Sequence, residues 1–184
     1  MIYPYLNILT PSECLEIINN TINNLKPLQV EEKDGPTYSF DRVAEGTFIR
    51  QNPPLIQKIR QIVSNVTNLP LENQEAPNVV RYKVGGHYKQ HHDYFDPMEF
   101  PNISQRGNRK YTCLFYLNED FEGGETYFPN YNLKIGPTIG SLLRWENLLS
   151  NGNPNPNSLH SGLPVSKGEK WILVIWVNDK KQNG

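Results

Sequence analysis

From Asn78 to Asn178 the chain is a succession of short strand-like runs, broken by turn-forming glycine, proline and asparagine. The runs cover residues 78–84, 87–94, 110–117, 125–128, 141–145, 158–161 and 171–178. Gly85-Gly86, Glu122-Gly123-Gly124, Gly136-Pro137 and Asn151-Gly152-Asn153-Pro154 punctuate them. Many short strands with frequent turns predict a sandwich or jelly roll. The stretch 151–157 reads as a strand connection, and no repeat or linker interrupts the pattern. Residues 1–184 are therefore expected to form a single domain, long enough to bury a core without staples.

The first third reads differently. Thr10-Pro11-Ser12-Glu13 has the form of a capping box with proline at the first helical position. Cys14, Ile17, Ile18, Ile22 and Leu25 then recur at helical spacing. Asn52-Pro53-Pro54 is expected to open a second helix in the same way, with Leu55, Ile59, Ile62, Val66 and Leu69 as its apolar stripe. Between the two, residues 31–39 are polar and contain Asp34-Gly35-Pro36, which predicts a turn in a mobile loop. The fold class is thus mainly β with flanking α, the N-terminal helices packing on a sheet.

Composition excludes several classes. Apolar residues make up 37% and charged residues 20%, with a net charge of −1. No run of Lys or Arg suggests a nucleic-acid partner. No stretch approaches the ~20 apolar residues of a membrane span, and the N-terminus lacks the basic and apolar regions of a signal peptide. A soluble protein is expected, intracellular or with its leader removed, as a monomer or weak homo-oligomer. Cys14 and Cys113 are far apart and form no metal or redox motif, so two buried free thiols are expected. The sequons at Asn19, Asn65 and Asn102 carry no weight without a leader.

His91-His92-Asp93 lies in a strand-like run. Side chains alternate along a strand, so His91 and Asp93 share a face with Lys89, while Tyr88, Gln90 and His92 face away. An imidazole and a carboxylate two residues apart can grip one ion, and His160 is the only histidine downstream to complete the set. Two His and one carboxylate, leaving open positions, is the facial arrangement of iron(II) oxygenases. An H-x-D tripeptide alone is common by chance; His87 and His92 read as surface or supporting residues.

The surrounding motifs resemble the prolyl 4-hydroxylases. Tyr82-x-x-Gly85-x-x-Tyr88-x-x-His91-x-Asp93-Tyr94 is similar to that family's first metal motif. The segment 114–118 followed by Glu122-Gly123-Gly124-Glu125-Thr126 and Phe128-Pro129 resembles its central segment. His160-Ser161-Gly162-Leu163-Pro164-Val165, then Gly168-Glu169-Lys170-Trp171, resembles its second. Asn68-Leu69-Pro70-Leu71-Glu72-Asn73 is similar to plant and algal members. The resemblance implies a double-stranded β-helix, an eight-stranded jelly roll with iron near one open end. It implies hydroxylation of peptidyl proline at C4, consuming 2-oxoglutarate and O2 and releasing succinate and CO2, with ascorbate as a further cofactor.

By the same resemblance His91, Asp93 and His160 are the iron ligands, and Lys170 anchors the far carboxylate of 2-oxoglutarate. Tyr82 and Thr126 match positions that hydrogen-bond that co-substrate. Arg109 matches an arginine on the substrate backbone, and Tyr88 and Trp176 match aromatics lining the proline pocket. Independently, a lysine at the head of the apolar run 171–176 needs a counter-charge if it faces inward. Segments 31–39 and 95–108 are the expected covers over a proline-containing peptide or protein. Two departures stand out: Asn178 occupies a position that holds a histidine in some algal relatives, and Arg144 replaces an apolar residue. A same-chemistry oxygenase acting on another side chain or a free amino acid stays open, as, more remotely, does a non-catalytic jelly-roll binding module.

Overall fold

The computed structural model describes residues 1–32, 35–51, 53–103 and 107–181. Asp34 of the expected turn, Asn52 before the second helix and Ser104 of the third sequon lie outside the described residues.

Helix α1 spans Pro11–Thr21. Its capping box forms as the sequence predicts: the Glu13 amide donates to Thr10 Oγ1, and the Thr10 amide donates to the Glu13 carboxylate. Helix α2 spans Pro54–Thr67. It differs at its start, where Pro53 is the N-cap and makes no side-chain bond, because proline offers no capping oxygen. Asn68 closes it in the left-handed region at φ 53°.

A seven-stranded antiparallel sheet carries the molecule. Four of its strands lie side by side in the order Asn78–Tyr82, Lys170–Asn178, Arg109–Tyr116, Leu142–Glu146. Facing it, His87–His91, His160–Gly162, Thr126–Phe128 and Leu133–Ile135 lie in that order within a five-stranded sheet. Consecutive strands therefore alternate between the sheets along much of the chain, and the four-on-four arrangement is a double-stranded β-helix. Ile2–Tyr5, Glu45–Phe48 and Lys26–Pro27 extend the larger sheet, and Arg42–Val43 extends the smaller.

The region 31–39, expected as a loop, carries a hairpin instead: Val30–Glu32 pairs with Gly35–Thr37. Gly35 sits at φ 112°, a backbone conformation glycine reaches without steric cost, and it opens the second strand of the pair.

Period-two alternation divides the core. Leu173, Ile175 and Val177 of the Lys170–Asn178 strand join Val79, Cys113 and Phe115 against Cys14, Ile17, Ile59 and Val63 of the helices. The intervening Ile172, Val174 and Trp176 join Val80, Tyr82, Leu114 and Trp145 between the two sheets. Lys170 opens that second series, so its side chain is directed between the sheets. Cys14 and Cys113 are buried free thiols.

Arg144 finds its explanation here. Its Nη1 donates to the Val66 carbonyl at 3.0 Å, in the last turn of α2, and its guanidinium lies over the rings of Tyr3 and Tyr111. A cation at the helix C-terminus meets the unpaired carbonyls and the negative end of the dipole.

Candidate metal centre and adjoining groove

His91, Asp93 and His160 come together between the sheets. One potential ligand atom from each lies within 4.8 Å of the others. His91 ends its strand and pairs with His160 across the ladder, while Asp93 follows in a bend. The His91 Nε2 is 3.6 Å from Asp93 Oδ1, and the His160 Nε2 is 3.6 Å from Oδ2.

Backbone carbonyls set the imidazoles. His91 Nδ1–H donates to the Lys89 carbonyl at 2.7 Å, and His160 Nδ1–H donates to the Ser158 carbonyl at 2.9 Å. Both Nε2 lone pairs are thereby left facing the carboxylate, the tautomer a metal ligand needs. Thr112 Oγ1 donates to Asp93 Oδ2 at 2.6 Å and accepts from Asn147 Nδ2 at 2.8 Å. Trp145 sets its ring edge to His160 at 4.7 Å between centroids.

The electrostatics suit a cation. Burial raises the Asp93 carboxyl, but the two imidazoles and the Arg109 guanidinium near it outweigh that and hold the group far below its usual range. Burial, helped by His91, pushes His160 down to about 4 against the pull of Asp93. At neutral pH Asp93 is ionised and the His160 imidazole is neutral, the forms in which each donates electrons to a metal. Nitrogen and oxygen donors in this number fit iron(II) and leave coordination positions open.

Lys170 shares the cavity and is 2% exposed. Its Nζ donates to the Gly124 carbonyl at 2.7 Å, and among the described residues it forms no ion pair. Burial pushes it down to about 8, with Glu125 acting weakly the other way. Gly124 stands at φ 67°, and a Cβ there would lie 3.3 Å from the lysine chain, so glycine both turns the backbone and leaves the lysine room. Tyr82 and Thr126 line the same space; Thr126 Oγ1 is 2.7 Å from the Tyr116 hydroxyl. A buried ammonium with spare donors is matched to a ligand carboxylate.

Beyond the cavity opens a groove of about 530 Å³. Arg42, Tyr88, Asp93 and Trp176 line both spaces. Arg109 sits in the groove with its guanidinium 3.9 Å from the Trp176 ring and 4.8 Å from that of Phe95.

All nine residues singled out in the sequence thus face the cavity or the groove. Tyr88 requires a correction to the alternation argument, which turned it away from the metal face. Its ring stacks on His91 at 3.5 Å, with Arg42 over its other side at 4.7 Å. The strand ends at His91, and the ladder shifts register between His160 and Gly162, so strict alternation does not run through the site. His92 does turn away from the metal cluster and lines the groove instead: its Nδ1 is 3.2 Å from Ser158 Oγ and its ring stacks on Tyr94. Asn178 does not line the groove; it bonds to Asn73 and Glu75. Sequence reading missed Arg42, Glu75, Thr112, Trp145 and Asn147. Each reaches the site by a long-range contact that no local motif carries.

Residues 77–178 match the sequence pattern of the 2OG-Fe(II) oxygenase superfamily. A candidate prolyl 4-hydroxylase of Acanthamoeba polyphaga mimivirus is 34% identical over 195 residues, covering 97% of this chain and 80% of that protein. Prolyl 4-hydroxylase 2 of Arabidopsis thaliana is 34% identical over 96% of this chain and 66% of its own length. A viral collagen prolyl hydroxylase from Paramecium Bursaria Chlorella virus-1, solved with 2OG, superposes with a TM-score of 0.78 at 27% identity, covering 96% of this chain and 94% of that one.

Proposed function

Because this chain belongs to the 2OG-Fe(II) oxygenase superfamily and, within it, to the prolyl 4-hydroxylases, we propose that it hydroxylates proline in extended peptide or protein segments. The chain is a 2-oxoglutarate-dependent dioxygenase, with iron(II) as its metal. On this reading residues 1–184 act as one catalytic domain, and ascorbate serves as a supporting reductant. Among the described residues no helix is long and apolar enough to cross a membrane.

In the proposed assignment His91, Asp93 and His160 hold the iron, with Thr112 and the Lys89 and Ser158 carbonyls keeping the three ligands oriented. Iron(II) with 2-oxoglutarate and O2 would supply an oxidant able to replace a C–H hydrogen with hydroxyl, one oxygen atom of O2 going to the substrate and the other to succinate as CO2 is released. Lys170 takes the distal carboxylate, completing an ammonium that among the described residues meets the Gly124 carbonyl and neighbouring rings. Tyr82 and Thr126 stand beside it as hydroxyl donors. Tyr88 and Trp176 form an apolar wall where cavity meets groove, and Arg109 offers N–H groups to a peptide carbonyl. Proline has no N–H and an apolar ring, so aromatic walls with a donor for its carbonyl suit it.

The observation that carries this reading is the placement of Lys170, buried and without an anionic partner among the described residues, in one cavity with the His91–Asp93–His160 cluster and beside an aromatic groove. The test is incubation with iron(II), 2-oxoglutarate and a proline-rich peptide. Peptide-stimulated succinate release and the mass gain of one oxygen on proline are expected. Succinate release stimulated only by some other substrate would remove the prolyl assignment and leave the dioxygenase chemistry.

A further inference from the structure

Arg109 is more tightly held than a residue that only meets substrate needs to be. Its Nε donates to Glu75 Oε1 at 2.7 Å and its Nη2 to Oε2 at 2.8 Å, a two-pronged pair. Trp176 and Phe95 lie against the guanidinium. Nη1 approaches the Asp93 carbonyl at 3.5 Å. Glu75 is anchored in turn: its amide donates to the Trp176 carbonyl at 2.9 Å, and its Oε1 accepts from Asn178 Nδ2 at 3.2 Å.

Asn178 lies at the end of the Lys170–Asn178 strand, opposite Arg109 in the ladder, and is 2% exposed. Its backbone carbonyl is separately bonded by Asn73 Nδ2 at 2.8 Å. The carboxamide nitrogen reaches the Asn73 carbonyl at 3.5 Å and the Glu75 carboxylate at 3.2 Å, so the carboxylate is its shorter contact. A carboxylate shared between an arginine fork and one further donor has less freedom to swing than one held by the fork alone.

We infer that Asn178 is a positioning residue for the peptide: through Glu75 it fixes which edge of the Arg109 guanidinium faces the groove. Nε and one Nη2 proton are consumed by Glu75, so the Nη1 edge is what a peptide carbonyl meets, beside the carbonyl of the proposed ligand Asp93. A peptide held there is registered against the metal. A loosened Glu75 lets the fork rotate, and the peptide is then held out of line while 2-oxoglutarate is still consumed. The inference rests on the proposed role of Arg109.

The test compares Asn178→Leu, which keeps bulk and removes the donor, with Asn73→Ala, which removes the bond to the Asn178 carbonyl. Asn178→Ser, whose hydroxyl falls short of Glu75, repeats the first substitution with less bulk in case leucine disturbs the fold. For each, thermal melting, the KM for a proline-rich decapeptide and the ratio of hydroxylated peptide to succinate are measured. Loss of a donor to a carboxylate predicts a rise in peptide KM of about tenfold for the Asn178 variants, with a fall in the product-to-succinate ratio. Asn73→Ala should lower the melting temperature and leave that ratio in place. If the Asn178 and Asn73 variants lower stability alike and neither moves the ratio, Asn178 is structural and the inference fails. Arg109→Lys separates the two readings. Should it leave peptide KM unchanged, the role of Arg109 in the groove fails and this inference with it; a raised KM there with silent Asn178 variants overturns the positioning alone.

Discussion

The two faces of the seven-stranded sheet bury different things. Against the helices lie Val79, Cys113, Phe115, Leu173 and Ile175, with Ile59 and Val63 opposite, all fully excluded from solvent and all apolar. Between the sheets the same strands bury Lys170, Thr112 and Asn78 beside Val80, Ile172 and Trp176, and the bend beyond adds Asp93. A charged side chain taken out of water costs free energy unless it is paired, and among the described residues Lys170 meets a carbonyl and ring faces but no carboxylate. One face is therefore built for stability and the other for holding ligands, with the helix side supplying the stability the site gives up.

Asp93→Ala should break this division most visibly. Turnover should disappear, because two imidazoles neither balance the charge of a divalent ion nor fix its geometry. Ile59→Ala, on the helix side, should instead cost about 2–5 kcal/mol of stability through the cavity it leaves, with the folded fraction still active. Denaturant unfolding and specific activity, measured together on both variants, check the contrast. It collapses if Ile59→Ala loses turnover beyond its loss of folded protein.

Lys170→Met sharpens it. The apparent KM for 2-oxoglutarate should rise by roughly ten- to a thousandfold, the loss of one charge-assisted contact in a dry pocket. The melting temperature should rise at the same time, since an apolar chain replaces an uncompensated buried ammonium. A lower melting temperature with unchanged 2-oxoglutarate affinity would move Lys170 out of the site.

Titration reads the same residue more gently. Burial places Lys170 at about 8, below its ordinary value of 10.5. Its neutral form is favoured in the folded protein, so as pH rises from about 8 towards the unfolded value, the cost of the buried charge is relieved and stability gains. Co-substrate binding runs the opposite way. It requires the ammonium, so 2-oxoglutarate affinity should be flat below about 8 and fall above it, approaching tenfold per pH unit. Anaerobic binding measurements with manganese(II) in place of iron follow this without turnover. A flat profile through pH 9.5 would separate the ammonium from the ligand.

Much of this division was legible in the sequence. Period-two alternation from Lys170 through Trp176 separates the two faces, and the Thr10–Glu13 capping box marks where α1 begins. The spacing of His91 and Asp93 and the motif around His160 point to one cluster, which the fold assembles. Alternation misled at Tyr88 because it assumes an unbroken register, whereas the ladder slips between the Tyr88–Gly162 and His91–His160 pairs. Thr112, Asn147, Glu75 and Arg42 were invisible for another reason. Each meets its partner across 19 to 46 positions, as Thr112 does Asp93 and Arg42 does Tyr88, and no local periodicity encodes such pairings. Arg144 reads as an anomaly within its own strand and makes sense only beside the last turn of α2.

The smallest expected effect tests the finest contrast, that between His91 and its neighbour His92. His92 is half-buried, and burial lowers its pKa, with His91 acting in the same direction. Its ring contacts Tyr94, and its Nδ1 lies 3.2 Å from Ser158 Oγ, a hydroxyl that already donates to the Asn155 carbonyl at 2.8 Å. Ser158 also supplies the carbonyl that orients His160, so His92 is connected to the metal set only through the residue behind a ligand. Because the Ser158 hydroxyl keeps its bond to Asn155 when the imidazole is removed, the turn that presents that carbonyl should hold its shape. His92→Ala should therefore lose about 1 kcal/mol of stability, the worth of one exposed-side hydrogen bond and a ring contact, and retain turnover within a few-fold. His91→Ala should lose it altogether. Metal affinity distinguishes the cases more cleanly than rate does: near wild type for His92→Ala, strongly weakened for His91→Ala. The reverse pattern would mean that His92, not His91, faces the metal.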